Sequence, residues 1–217
     1  MRRSIAVIGT GNMGSAIAKA LANAGHEIYI AGKDAQAAET LAQTIRAGQA
    51  DARVQAVDTA AAVQHAEIII PAVWYATYAG LAEEIRSRVA GKIVVSIANP
   101  LNETFDGLVT AADTSAAEEL AELLPEATIV KAFNTTFAAD FATPRIGGQQ
   151  VDCFVAGDDE QALQTVSDLV ADAGFRPLNA GPLSMSRTLE SMMVLLIGLA
   201  MRYDYNWLAG WKVLSQA

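Results

Sequence analysis

The chain predicts an α/β fold: a doubly wound, mostly parallel sheet with helices on both faces and a small C-terminal helical extension. Three observations predict it. Short apolar runs alternate with helical stripes from the start, most connections are short, and a glycine-rich turn joins the first run to the first stripe. Alternation of this kind builds a sheet covered on both faces.

Each element has its own signal. Ile5–Ile8 is a short apolar run, and Asn12–Ala24 sets Met13, Ile17 and Leu21 four residues apart on one helical face. A strand at Glu27–Ala31, an alanine-rich helix at Ala35–Ala47 and a strand at Val54–Val57 follow. A short helix, Thr59–His65, leads to strand Ile68–Ala72. Helix Ala76–Val89, strand Lys92–Ile97, helix Ser115–Leu124 and strand Thr128–Ala132 extend the pattern. Strand Val151–Ala156, helix Glu160–Ala173 and strand Arg176–Leu178 complete it. From Pro182 the chain reads as a helix over about Ser184–Arg202, then a shorter helix ending near Leu214. Residues 1–181 form the main unit and 182–217 its extension, within one compact body. Two longer connections, Ala98–Thr114 and Phe133–Gln150, both follow strand C-termini, the edge where doubly wound sheets bind ligands.

Composition sets limits. With 52% hydrophobic and 18% charged residues the chain is globular. A net charge of −9 repels polyanions, which argues against nucleic acid as a partner. The single cysteine, Cys153, has no partner for an internal disulfide and reads as a small buried apolar residue. The apolar run Met192–Met201 stops at Arg202, too short to cross a bilayer. The expectation is a cytoplasmic protein with no membrane partner. Neither a metal-ligand cluster nor a nucleophile elbow appears, and His26 and His65 fall at the opposite edge of the sheet as structural residues.

The glycine turn is Gly9-Thr10-Gly11-Asn12-Met13-Gly14. Gly9 permits the tight turn, Gly11 lets the backbone approach a pyrophosphate, and Gly14 lets helix and strand pack closely. Strand, glycine turn, helix and second strand in this order are the Rossmann dinucleotide-binding unit, with the pyrophosphate on the helix N-terminus. An NAD site places Asp or Glu at the end of the second strand. Here Ala31 and Gly32 stand there, followed by Lys33. Small residues leave room for a 2′-phosphate and Lys33 pairs with it, so NADP(H) is favoured. Asp34, turned inward, would instead bind a ribose hydroxyl.

The ligand-edge loops supply the rest of the candidate site. Trp74 follows the fourth strand, Asn99 the fifth, and Asn134 and Thr135 the sixth; these four are the ring-positioning candidates. Val73 and Ala98 join Asn99 as cofactor contacts on the same loops. Core packing also accounts for Trp74 and Phe133, and turn formation for the two asparagines. Gly181–Arg187 opens the C-terminal helix as a further anion or carbonyl site. Scarce acid/base groups point to hydride transfer between two stacked rings, which needs positioning more than proton transfer.

Taken together, Gly9–Gly14, Gly25-His26-Glu27, Lys92–Ser96, Gly157–Glu160, Arg176–Ser184 and Ser186-Arg187…Glu190 resemble the NADPH-dependent reductases of deazaflavin coenzyme F-420. The resemblance implies a Rossmann domain with a small helical part, NADP(H) as cofactor, ring-to-ring hydride transfer and a homodimer. Lys131-Ala132-Phe133-Asn134-Thr135 is more similar to the cytosolic domain of six-transmembrane metalloreductases, and the archaeal deazaflavin reductases tend to carry histidine where Asn134 stands. The small-molecule acceptor is therefore coenzyme F-420, FMN or FAD, with an imine or carbonyl substrate as a second enzymatic reading. A non-catalytic NADPH-sensing module is the third. Leu189, Met192, Met193, Leu196, Ile197 and Ala200 spread over a broad helical face, explained either by a homodimer interface or by packing onto the sheet.

Overall fold

A computed structural model of the protein describes residues 2–215; Met1, Gln216 and Ala217, the last two ending the expected extension, lie outside the described residues. The chain runs β1 (Ser4–Ile8), α1 (Asn12–Asn23), β2 (Glu27–Ala31), α2 (Ala35–Gly48), β3 (Arg53–Ala56), α3 (Thr59–His65) and β4 (Ile68–Pro71). Then follow α4 (Tyr78–Ile85), β5 (Ile93–Ser96), α5 (Ala116–Leu123), β6 (Thr128–Lys131) and a small hairpin, β7 (Arg145–Ile146) and β8 (Gln149–Gln150). The chain ends with β9 (Asp152–Gly157), α6 (Glu160–Asp172), β10 (Arg176–Gly181) and α7 (Ser186–Tyr203).

The main sheet has the order β3-β2-β1-β4-β5-β6-β9-β10, reversing direction of travel between β1 and β4. Its central strands are apolar on both faces because both faces are covered. On β1, Ile5 and Val7 pack under α1, α2 and α6, while Ala6 and Ile8 pack under α3, α4 and α5. Asp34, Asp58, Ser115 and Asp159 cap α2, α3, α5 and α6 by accepting from a backbone amide of the first turn.

Three expectations change. Helix Ala76–Val89 is shorter, with single 3-10 turns at Tyr75–Thr77 and Arg86–Arg88 flanking α4. The last two strands reverse: β9 pairs antiparallel with β6 and β10 runs parallel to β9. The loop after β10 therefore starts level with the end of β6, and α7 climbs from there back to the ligand edge. Third, the segment after α7 is not helical. Asp204, Asn206 and Trp207 take left-handed backbone conformations, with φ of 54°, 51° and 57°. Asp and Asn tolerate this region better than most residues. Beyond them the chain forms a strap that bridges Asp152 through Trp211.

The broad apolar face of α7 packs within the chain. Leu189, Met193, Leu196, Ile197 and Ala200 are buried, the last four together with Phe137. By length and composition alone Leu183–Tyr203 is apolar enough to cross a membrane, with mean hydropathy 1.3. In the fold its inner face instead lies against Leu101 and Phe137 of the ligand-edge loops, and against Ala209 and Trp211 of the strap.

Candidate active site

The glycine turn separates into two packing glycines and one open one. Gly9 leaves β1 with φ of 126°, and a Cβ there would stand 2.1 Å from the Ala72 carbonyl oxygen. A Cβ on Gly14 would stand 2.0 Å from the Gly9 carbonyl oxygen. Gly11 has nothing within 4 Å of such a Cβ. It caps α1 with no side-chain hydrogen bond, and the first turn of α1 carries no acidic residue. The first-turn amides thus face open space at the positive end of the helix, which suits a pyrophosphate. Val73 lies beside Gly9, its Cγ1 3.3 Å from the same Cβ position.

At the neighbouring corner, Thr10 approaches Gly32: its Cγ2 is 3.6 Å from where a Gly32 Cβ would be. Lys33 is exposed there. The Asp34 carboxylate does not turn inward; it accepts from the Ala37 amide at 3.0 Å as the cap of α2. The corner presents one cation and room for an anion, the arrangement a 2′-phosphate needs.

A cleft of about 840 Å³ opens along α1 directly beside this turn. Asn12, Met13 and Lys19 of α1 form one wall; Phe133, Phe137 and Phe141 form another; Met193 and Trp207 close the far side. Asn99 and Asn134 form its floor. Asn99 Nδ2 donates to the Asn134 carbonyl, while Asn134 Nδ2 donates to Asn99 Oδ1 and to the Leu189 carbonyl. Asn134 Oδ1 is buried without a partner. Phe133 is held at φ of 58°, a strained region for a bulky residue, and its amide donates to the Cys153 thiol. Burial pushes that thiol up to about 12, so it stays a neutral packing group.

Below the floor, Lys131 and Glu190 are both fully buried and 2.5 Å apart. Lys131 Nζ also donates to the Ala98 carbonyl at 2.6 Å, and Glu190 accepts from the Ala116 amide. Burial lowers the pKa of Lys131, against the attraction of Glu190.

The cleft brings together Asn12, Met13, Asn99 and Asn134 of the expected site. Ala98 lies just beneath it. Trp74 is 71% exposed and does not line the cleft, and core packing does not explain it, whereas Phe133 is core. Thr135 is fully buried and its hydroxyl is unpartnered; it does not line the cleft. Gly181–Arg187 is not an open anion site, because Glu118 holds the Arg187 guanidinium through two hydrogen bonds and Leu183 packs into the core. Sequence reasoning passed over Lys131, Phe141, Met193 and Trp207 as site residues, while Phe137 lay in the Phe133–Phe137 loop it had offered for the site. A readable signal existed for one pair: a lysine ending an apolar strand and a glutamate on the apolar stripe of a helix.

Known proteins resemble the chain over most of its length. The family described as "NADP oxidoreductase coenzyme F420-dependent" matches residues 4–100. The F420-dependent NADP reductase of Methanothermobacter marburgensis is 30% identical over 205 residues, covering 90% of this chain and 91% of that protein. Metalloreductase STEAP3 of Rattus norvegicus is 30% identical over 194 residues, 89% of this chain, which spans only 37% of that longer protein. A crystal structure of a putative F420-dependent NADP reductase from Arthrobacter sp. FB24 superposes with a TM-score of 0.85 at 29% identity, covering 98% of this chain and 100% of that one. The chain belongs to the family of F420-dependent NADP reductases and is an NADP-dependent oxidoreductase.

Proposed function

We propose that this enzyme transfers hydride between NADP(H) and the deazaflavin ring of coenzyme F-420, with the ring seated in the cleft beside α1. One observation carries the reading: an aromatic-walled cleft adjoins the pyrophosphate site and has an amide floor. Among its described lining residues the ionisable group is Lys19, on the rim. Such a site orients flat rings and offers no buried general acid or base. NADPH supplies the hydride, and the single proton taken up by the acceptor comes from water.

The residues have distinct tasks in this reading. Gly9, Thr10, Gly11, Asn12, Met13 and Gly14 hold the pyrophosphate, and Lys33 pairs with the 2′-phosphate. Val73 and Ala98 border the nicotinamide, Asn99 and Asn134 orient the ring edges, and Trp74 shields the outer side. Buried Thr135 supports Asn134 from behind.

The names of the relatives give FMN and FAD no support, and these two flavins serve as comparison acceptors. Mixing enzyme and NADPH separately with coenzyme F-420, FMN and FAD, and following nicotinamide absorbance, tests the reading. Turnover with F-420 is expected; none with any of the three would overturn it. A homodimer is proposed on the exposed apolar residues Leu195, Met201, Tyr203, Tyr205 and Leu208 around the outer end of α7 and the strap. Light scattering of the purified protein checks it, and a monomeric mass would remove it.

A further inference from the structure

Beneath the cleft floor the chain keeps a charge pair where an apolar pair would ordinarily stand. The Lys131 and Glu190 side chains are each 0% exposed. A buried ion pair seldom adds net stability over well-packed apolar residues of the same volume, because both charges lose their water. Something other than stability explains the choice.

The sheet register shows what the pair does. β5 and β6 pair as far as Ser96 and Lys131, with a last rung from the Ala132 amide to the Ser96 carbonyl. β6 pairs with β9 on its other side at Val130 and Lys131, and neither ladder reaches the buried Ala98 carbonyl, which lies past that last rung. Lys131 Nζ takes that carbonyl at 2.6 Å, and Glu190 fixes the ammonium from the other side at 2.5 Å. The next residue after Ala98 is Asn99, whose side chain is locked to Asn134. Asn134 is in turn held by the carbonyl of Leu189, the neighbour of Glu190. Two consecutive residues of α7 thus grip both loops that make the floor.

We propose that Lys131 and Glu190 are positioning residues for hydride transfer: they hold the Ala98 carbonyl and, through it, set the Asn99–Asn134 couple against the reacting rings. The proposal rests on the hydride-transfer reading above. Neither residue touches the rings; the pair acts through the backbone.

The test compares wild type with the apolar pair K131M/E190M. Either single substitution leaves a charge or a carbonyl unpaired in the core and lowers the melting temperature. The double variant removes both charges at once and leaves only the Ala98 carbonyl and the Ala116 amide unpaired, so it is expected to melt above either single variant though below wild type, and to bind NADPH with a Kd within about twofold. Its single-turnover hydride transfer to coenzyme F-420 is expected to fall by about 30-fold or more, since small displacements of reacting groups carry losses of that order. The primary isotope effect with 4-deuterated NADPH should become more temperature-dependent, a change that a purely structural role would not produce. A wild-type rate and isotope effect in the double variant would overturn the proposal. If the double variant does not fold, the isostere E190Q carries the test: a transfer rate within about threefold of wild type there overturns it equally. No turnover by the wild-type enzyme would overturn the hydride-transfer reading first, and the positioning role with it.

Discussion

Asn99 and Asn134 hold each other across the cleft floor by two hydrogen bonds of 2.9 Å, one from each side-chain amide. They come from loops after different strands, so the couple fixes two independent segments at once. Removing one amide frees the other. Asn134→Ala is therefore expected to lower the rate of hydride transfer about tenfold or more while changing NADPH affinity little. It should also lower stability by about 1–2 kcal/mol, through the lost bonds to Asn99 and Leu189. Stopped-flow transfer rates and thermal melts check both parts.

The glycines of the turn separate folding from binding. Gly11→Ala puts a methyl into open space, so the variant should melt within about 1 kcal/mol of wild type and yet lose most of its affinity for NADPH. Gly9→Ala drives a methyl into the Ala72 carbonyl at a φ that alanine avoids, and should fail to fold or lose several kcal/mol. Titration calorimetry on the first and circular dichroism on the second are the measurements. Normal NADPH binding by the Gly11 variant would contradict the placement of the pyrophosphate.

On the proposed site, Lys33 carries the choice of cofactor. Lys33→Ala should weaken NADPH by roughly 10- to 100-fold, a charge-assisted hydrogen bond of about 1.5–3 kcal/mol, and leave NADH nearly unchanged. Equal losses for both cofactors would remove Lys33 from the 2′-phosphate site. Asp34→Ala should mainly destabilise α2, because its carboxylate caps that helix.

Two buried carboxyl groups give the protein opposite responses to pH. Burial raises the Asp140 carboxyl to about 7, opposed by its bond from the Phe137 amide. Its folded form keeps a proton that the unfolded chain releases near pH 4, so stability declines as pH rises from about 4 to 7 and is level above that. Asp140→Asn should flatten this slope and gain about 2–4 kcal/mol above pH 7, read as a pH series of melts. Burial would also raise Asp152, but Arg176, the Val213 amide and Lys212 hold it below the usual carboxylate range. That contribution is present above about pH 4 and is lost on further acidification. Asp152→Asn should loosen the strap above about pH 4, seen as faster amide exchange at Val213.

The half of the molecule that binds the dinucleotide was readable because local signals and tertiary packing agree there. Val7 and Ile8 alternate between two cores, and Gly9 and Gly14 stand where a Cβ would strike backbone. The C-terminal half was not readable in the same way. Nothing local tells Val151–Ala156 to run antiparallel to Thr128–Ala132, and the left-handed turn at Asp204–Trp207 is set by packing on Phe137. Core packing was the alternative for Trp74, which is exposed, while neither Lys131 nor Glu190 by itself signals a buried pair. A periodic pattern reports which face is inward, not which distant charge waits there.

The backward course of β9 and β10 has a consequence for how this enzyme changes over time. Because these strands reverse, the chain's final stretch returns over the cleft, and Met193 and Trp207 close a space whose opposite wall is α1. The cleft proposed for the redox partner thus draws one wall from the helix that follows the glycine turn and the rest from distant, later lengths of sequence. On the proposed reading, substitutions at Met193 or Trp207 would retune which molecule receives the hydride without touching the glycine turn that holds the cofactor.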